Sequence, residues 1–272
     1  MHIESRANER IKNAVKLKSK ASRQVKRLFF FEGVSLLEDY LRNGHVPNTI
    51  FVTENAKKSY SDLLTAVESS RIITVSDSVY QKLSAEKAPQ GIFVISEFLD
   101  GNIVFINSDQ HFKALTECKK SLIFLDSLQD NGNVGTIIRT AAALGGADCV
   151  LSRDCADIYS SRTIRASMGA LFSARVFITD DISQAIRAVR QSGRRVFAAA
   201  LGNNTLTLGK FDAYHDDCFV IGNEGNGLAG EIIDICDGEV KIPISGDIDS
   251  LNASVAAAIL LWELKKGDDI DG

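Results

Sequence analysis

Short, continuous apolar runs alternate with helical segments through the second half of this 272-residue chain. The runs are SLIFLD, DCVLS, ARVFITD, RRVFAAALG, DCFVIGNE and EVKIPI. Such runs are typical of parallel strands covered on both faces, and their alternation with helices predicts an α/β layer structure. A loop rich in Gly, Asn or Asp follows each run. Because ligands bind at the carboxyl edge of open α/β sheets, we expect a functional site in these loops.

The first half of the chain shows the same alternation of strands and helices, with strand-like runs LFFFEG, NTIFVTE, RIITVS and GIFVISEF. A polar, mixed segment at 99–119 interrupts the pattern. We therefore predict two α/β domains, at 1–98 and 120–272, joined by a linker at 99–119. No apolar stretch reaches the roughly 20 residues needed to cross a bilayer, so no membrane span is predicted.

The net charge of −4 conceals an asymmetry. Residues 1–27 carry five Lys and four Arg against two Glu, a charge of +7, which leaves −11 on the remainder. A basic arm on an acidic body is typical of proteins that bind a polyanion such as RNA, and a solvated helix face is the alternative. The N-terminus lacks a secretion signal, and the five cysteines are an odd number, which favours a reduced cytoplasm. The cysteines form no C-x-x-C pair and the four histidines are scattered, so no structural zinc site is expected.

Three junctions between predicted strands and helices could carry chemistry. In LDSLQDNGNVGTIIRTAAALGG, Arg139 lies in an apolar, small-residue helix, where it either reaches water or points at an anion. In FVIGNEGNGL, three glycines surround Asn223 and Glu224, and they allow a tight turn or a close backbone approach to a ligand. In IPISGDIDSLNASVAAAILLWEL, Ser250 precedes the last helix and could simply cap it. The chain has neither a dinucleotide-binding fingerprint nor a phosphate-binding P-loop, which disfavours those two classes.

In this order, the motifs D-x-x-N-V-G-x-I-x-R-T-A, I-G-N-E-G-x-G-L and I-P-I-x-G-x-x-x-S-L-N-A-S-V-A resemble those of the SpoU (TrmH-like) family of RNA ribose methyltransferases. FFFEGVSLLEDYL and APQGIFVI in the first half resemble the RNA substrate-binding domain of that family. Asn131 stands where the family usually has proline, which should make the turn before Asn133 less rigid.

The resemblance implies a C-terminal SPOUT methyltransferase domain, knotted as a trefoil around a mostly parallel sheet, after a smaller α/β RNA-binding domain similar to ribosomal proteins. It implies S-adenosylmethionine as co-substrate and no metal. The cofactor would be bound, largely through backbone groups, by Leu201, Gly202, Ile221, Gly222, Gly225, Ile242 and Leu251.

The resemblance also implies five catalytic residues, Asn133, Arg139, Glu224, Ser250 and Asn252. An arginine does not readily deprotonate, so we expect Arg139 to act as an electrostatic clamp on phosphate and the developing alkoxide. Ser250 would accept or relay a hydrogen bond from the ribose hydroxyl, with Asn252 in support. Glu224 would either organise its loop or accept the proton.

The predicted protein is a cytoplasmic, homodimeric RNA 2′-O-methyltransferase, with ribosomal RNA, of the large subunit in particular, favoured over transfer RNA. The alternatives are a transfer RNA methyltransferase, a knotted base methyltransferase and a non-catalytic knotted RNA-binding protein. Methylation of the ribosome could also serve antibiotic resistance. Arg162 and Arg165 could bind RNA or a second subunit, or could lie on a helix surface. Trp262 and Phe29 to Phe31 are expected in the core, and Cys149 and Cys155 as buried thiols.

Overall fold

A computed structural model describes residues 1–106, 108–202, 205–245 and 250–270, with side chains described as far as residue 265. The strands are β1 (His2–Ile3), β2 (Leu28–Glu32), β3 (Thr49–Thr53), β4 (Ile72–Val75), β5 (Ile92–Glu97), β6 (Ile103–Ile106), β7 (Ser121–Leu125), β8 (Ala147–Ser152), β9 (Val176–Thr179), β10 (Val196–Ala199), β11 (Leu206–Thr207), β12 (Cys218–Ile221) and β13 (Gly238–Lys241). The helices are α1 (Glu9–Lys16), α2 (Lys20–Lys26), α3 (Val34–Arg42), α4 (Glu54–Ser59), α5 (Ser61–Thr65), α6 (Asp77–Leu83), α7 (Asp109–Thr116), α8 (Asn131–Leu144), α9 (Ser161–Ala166), α10 (Ile182–Gln191), α11 (Gly230–Asp234) and α12 (Ala253–Ile270). Short 3₁₀ turns lie at Ser69–Arg71 and Ala170–Phe172.

The chain forms two compact units: unit 1 comprises residues 1–99 and 157–172, and unit 2 comprises 100–156 and 173–272. Unit 1 contains a five-stranded sheet in the order β1-β4-β3-β5-β2, in which β5 runs antiparallel to β2 and β3. Helix α1 packs Ile11 and Ala14 into the apolar core of this unit. The basic arm is therefore folded onto unit 1, because its thin apolar stripe has a core to cover.

Residues 157–172 complete unit 1. Tyr159 packs against Phe29 with ring centroids 5.0 Å apart, and Phe172 packs against Phe31 at 5.1 Å. The prediction that Phe29 to Phe31 lie in the core is confirmed, since all three are buried. The segment begins at Asp157, which forms a buried ion pair with Arg23 of α2 at 2.5 Å.

Unit 2 is an eight-stranded parallel sheet in the order β11-β13-β10-β12-β7-β8-β9-β6. Every residue of β7 and β8 is buried, which is the physical reason for their continuous apolar sequences. Helices α7, α10 and α11 cover one face, where their apolar residues join those of β7, β8 and β12. Helices α8 and α12 pack against each other and contact β8 and β12. The predicted α/β fold with a mostly parallel sheet is confirmed, and the trefoil knot stays a prediction.

The structure differs from the sequence-based expectations at three places. The expected linker contains β6, which pairs with β9, and α7, whose Leu115 is buried in the core of unit 2. Residues 157–172 lie in unit 1, because their aromatic side chains complete its core. Trp262 was expected in the core, but its side chain is 53% exposed on α12. In the described part of the chain, no helix has the length and apolar composition that crossing a membrane requires.

Candidate active site

A cavity of about 440 Å³ opens at the carboxyl ends of three neighbouring strands, β10, β12 and β13. The residues that line it are Ala199, Ala200, Leu201, Ile221, Gly222, Asn223, Glu224, Gly225, Gly227, Val240, Lys241, Ile242, Ile244, Ser250, Leu251, Asn252, Ala253 and Ala256. The cavity therefore lies at the sheet edge where the alternating pattern predicted a ligand.

Six of the seven residues predicted to bind the cofactor line this cavity: Leu201, Ile221, Gly222, Gly225, Ile242 and Leu251. Gly202 is not in the described lining; its N–H donates to Oγ1 of Thr205 at 2.8 Å. Glu224 and Lys241 are the only ionisable side chains in that lining. Apolar walls with exposed backbone groups suit a planar, uncharged ring such as adenine.

Gly222 allows the loop after β12 to fold back on itself. A Cβ atom at this position would lie 2.4 Å from the carbonyl carbon of Gly227, closer than real Cβ contacts come. Asn223 and Gly227 exchange two backbone hydrogen bonds, of 3.1 and 2.9 Å, which close the loop. The loop can keep this shape only with glycine at position 222.

Glu224, Asn133 and Asn252 form a hydrogen-bonded chain that joins the three motifs. The Glu224 carboxylate accepts from the N–H groups of Gln129 and Asp130, each at 3.1 Å, and from Nδ2 of Asn133 at 3.0 Å. Oδ1 of Asn133 in turn accepts from Nδ2 of Asn252 at 3.0 Å. We call this set of three side chains the polar bracket. It fixes the starts of α8 and α12 to the loop after β12.

Two members of the polar bracket, Asn133 and Asn252, lie at helix starts. Asp130 caps α8, because its carboxylate accepts the N–H of Asn133 at 2.9 Å. Asn131 is the first residue of α8, so the position without the usual proline lies inside a capped helical turn. Oδ1 of Asn252 accepts from the N–H groups of Ser254 and Val255, which caps α12. The cap at this junction is thus Asn252.

The pKa of Glu224 reflects its surroundings. Partial burial raises it, but the hydrogen bonds from Asn133 and from the backbone N–H groups of Gln129 and Asp130 outweigh burial and hold the pKa below its usual value. Glu224 is therefore an ionised carboxylate at neutral pH, with three protein donors directed at it.

Ser250 and Arg139 differ in position. Ser250 lines the cavity and is exposed, whereas Arg139 lies on the exposed side of α8 and outside the cavity lining. Across the residues that the structure describes, Arg139 has no hydrogen-bond or ion-pair partner. The structure thus brings together four of the five predicted catalytic residues and leaves Arg139 on the surface of its own chain.

Sequence reasoning missed two members of the site. Lys241 is the last residue of β13 and lines the cavity, and its position just before I-P-I was the available signal. Asn223 stabilises the glycine loop: its Nδ2 donates to the carbonyl of Ser127 at 2.8 Å, and its Oδ1 accepts from Gly225 N–H. In the described ranges, no cluster of His, Cys, Asp and Glu could hold a metal ion.

Comparisons with known proteins cover nearly the whole chain. The sequence pattern of the SpoU rRNA Methylase family matches residues 120–262, and that of the MRM3-like substrate binding domain matches 8–94. The 23S rRNA (guanosine(2553)-2′-O)-methyltransferase RlmP of Bacillus subtilis is 28% identical over 97% of this chain and 98% of its own. An uncharacterized tRNA/rRNA methyltransferase of Synechocystis is 26% identical over 97% of this chain and 93% of its own. The crystal structure of AdoMet-bound rRNA methyltransferase from Sinorhizobium meliloti superimposes with a TM-score of 0.82 and 26% identity, and covers 98% of this chain and 97% of the other.

The parallel α/β domain, the cavity at its carboxyl edge and these matches define the class of the protein, which is an RNA methyltransferase. Within that class, the chain belongs to the SpoU rRNA Methylase family, whose pattern matches more than half of its residues. The family resemblance and the enzyme class predicted from the three motifs are confirmed.

Proposed function

We propose that this RNA methyltransferase transfers a methyl group from S-adenosylmethionine to a ribose 2′-hydroxyl, and that its substrate is ribosomal RNA of the large subunit. The observation that carries the proposal is the convergence of three motifs on one cavity through the polar bracket. The name of the Bacillus relative, which specifies 23S rRNA and a 2′-O acceptor, supports the substrate and the atom. The five cysteines are free thiols, which supports a reducing cytoplasm as the location.

S-adenosylmethionine would bind with its adenine between the apolar residues and the glycine loop. Ile221, Ile242 and Leu251 offer walls, and the backbone beside Gly222 and Gly225 offers hydrogen-bonding groups. Gly202 would act only by supporting this loop edge, since it stands outside the described lining. The Sinorhizobium structure, described as AdoMet-bound, supports this cofactor.

The polar bracket would position the reacting groups. The Glu224 carboxylate already accepts three hydrogen bonds from the protein, and its pKa is lowered. Both properties favour Glu224 as a residue that orders the loop over Glu224 as a proton acceptor. Ser250 would receive the hydrogen bond of the ribose hydroxyl. Holding two reactants in line can contribute about 7–11 kcal/mol to the barrier reduction, so positioning is a sufficient role for these residues.

Arg139 would reach the site from a second copy of the chain. It lies outside the cavity lining of its own chain, and no neighbour neutralises it in the described structure. Val255 and Trp262 lie seven residues apart, and so on one side of α12, and are 47% and 53% exposed. We propose that this apolar face forms the homodimer contact and that Arg139 of the second copy clamps phosphate beside Ser250. The clamp is wrong if Arg139→Ala keeps full turnover and RNA affinity.

Methyl transfer to unmodified ribosomal and transfer RNA tests the reaction. Labelled methyl is supplied on S-adenosylmethionine, and the product is hydrolysed with alkali. Label in an alkali-resistant dinucleotide from ribosomal RNA alone is expected. Label from transfer RNA instead would change the substrate, and label in a mononucleotide would mean base methylation. No transfer together with no cofactor binding would favour a non-catalytic RNA-binding protein.

Co-expression of Arg139→Ala with Ser250→Ala tests the shared site. If Arg139 acts in the cavity of the other copy, a mixed dimer has one intact site. The co-expressed sample then regains about a quarter of wild-type activity, because about half of the dimers are mixed and each has one active site of two. If Arg139 acts on its own chain, every site retains a defect and the mixture stays inactive.

A further inference from the structure

Three cations of unit 1 are held in place along α6, from its first turn to its end. Nε of Arg6 donates to the carbonyl of Ser78 at 2.8 Å. Nζ of Lys18 donates to the carbonyls of Lys82 and Ser84, at 3.2 and 3.0 Å. Nζ of Lys82 donates to the carbonyl of Arg6 at 3.0 Å. The three side chains therefore form one connected group, here called the α6 cluster.

The partners of the α6 cluster leave its charge uncompensated. Every acceptor named above is a neutral carbonyl oxygen, and within the described residues no carboxylate forms an ion pair with Arg6, Lys18 or Lys82. Lys12 of the same arm is different, because it pairs with Glu9 at 2.7 Å and lowers the pKa of that carboxyl.

The carboxylates close to the cluster form no ion pair with it among the described residues: Asp77 is the first residue of α6, and Glu4 pairs with His2. Glu32 accepts from the hydroxyl of Ser84 at 2.5 Å and from the N–H of Ala85 at 2.8 Å. Glu86 forms an ion pair with Arg165. The α6 cluster is thus three positive charges ordered by neutral groups on an exposed part of unit 1.

Each member of the cluster also retains free donors. Toward the residues that the structure describes, Arg6 uses one of its five N–H donors, Lys18 two of three, and Lys82 one of three. Ordered cations with unused donors bind an anion at a smaller entropy cost than mobile side chains do. Binding to several phosphates also releases the counterions of the nucleic acid, which increases affinity further.

We propose that Arg6, Lys18 and Lys82 form a phosphate-binding site for the RNA backbone. RNA as the occupant rests on the proposed function. Charge complementarity supports it, because the basic residues 1–27 carry a net +7 while the rest of the chain is acidic. Lys82 lies outside that basic segment, so the site is defined by the fold and could not be read from the N-terminal charge alone.

RNA binding by full-length variants tests the site. Arg6→Gln, Lys18→Gln and Lys82→Gln are compared with Lys58→Gln, which removes one exposed charge from α4 of the same unit. Affinity for a ribosomal RNA fragment is measured by fluorescence anisotropy over a series of salt concentrations. Each cluster variant should reduce the slope of log affinity against log salt by about 0.7–0.9 and the affinity at 0.15 M salt about fivefold. Lys58→Gln should change neither by more than about a tenth of its value.

The outcomes separate this site from the proposed reaction. Losses confined to the cluster variants, with S-adenosylmethionine binding unchanged, would support the site whether or not the RNA is methylated. Equal behaviour of the cluster variants and Lys58→Gln would overturn it, as would a wild-type protein that does not bind RNA. The triple variant should lose affinity about a hundredfold. The single variants provide the answer if the triple variant does not fold.

Discussion

Glu224→Gln tests whether Glu224 organises the site or accepts the proton. The carboxylate accepts three N–H donors in two groups: Oε1 binds Asp130 and Asn133, and Oε2 binds Gln129. Glutamine keeps one oxygen for two of these donors and places its NH₂ group against the third. A hydrogen bond to a charged acceptor is worth about 1.5–3 kcal/mol, and the exposure of Glu224 reduces that value. The expected net loss is about 1–2 kcal/mol, a factor of roughly 5–30.

This loss should appear in the order of the loop and hence in cofactor affinity. Calorimetry should show S-adenosylmethionine binding weakened roughly 5- to 30-fold in Glu224→Gln, with turnover at saturating cofactor reduced to a similar degree. Glu231→Gln removes a nearby carboxylate outside the polar bracket and should leave both unchanged. A general base contributes about 10²–10⁴-fold. A turnover loss of that size with unchanged cofactor affinity would therefore refute the organiser role.

The pH dependence of the same group provides a second check. The pKa of Glu224 is lowered in the folded protein, so its stabilising contribution is present above the ordinary value of 4.5 and is lost as pH falls through the lowered pKa. Cofactor affinity of the wild type should therefore fall below pH 4.5, and that of Glu224→Gln should lack this step. A step of equal size in both proteins would assign it to another group.

Three further substitutions test other parts of the structure. Gly222→Ala places a Cβ atom against the backbone of Gly227 and should weaken S-adenosylmethionine binding, measured by calorimetry, at least about tenfold. Gly230→Ala has open space for its Cβ atom and should leave that binding unchanged. Arg23→Ala leaves the buried carboxylate of Asp157 without its ion-pair partner and should lower the free energy of unfolding by about 3–5 kcal/mol in urea titrations. The exposed control Lys20→Ala should lower it by about 0.5 kcal/mol or less. Burial raises the pKa of Asp126, so its ionised form costs stability as pH rises through that pKa. Asp126→Asn should accordingly raise the thermal midpoint at pH 7, and the gain should vanish as pH falls towards 3.8.

The sequence predicted the elements whose patterns are local. The continuous apolar runs identified most strands of unit 2, because strands covered on both faces must be apolar throughout. The glycine loop at 222–227 could also be placed at a sheet edge, since it directly follows one of these runs. The start of α12 also followed from its long apolar sequence, but the cap expected at Ser250 lies at Asn252.

The remaining features depend on contacts between distant residues. Strand β6 is an apolar run of four residues within a segment that is otherwise polar and mixed, and it pairs with β9, about 70 positions later, so the segment as a whole was taken for a linker. Arg139 was placed correctly on a helix, but only the packing of that helix shows which side is exposed. Trp262 was misjudged for the same reason, because an apolar side chain on an apolar helix predicts burial until the neighbouring helix is known.

The order of synthesis matters for unit 1 because its last part is encoded late. Residues 1–99 leave the ribosome well before Asp157–Phe172, the segment that packs on Phe29 and Phe31. At about 5–20 residues per second, that segment follows after several seconds. During this time the first five strands must remain in solution with an aromatic face uncovered. The nascent chain therefore passes through an interval in which that face is open to aggregation or to binding by a chaperone.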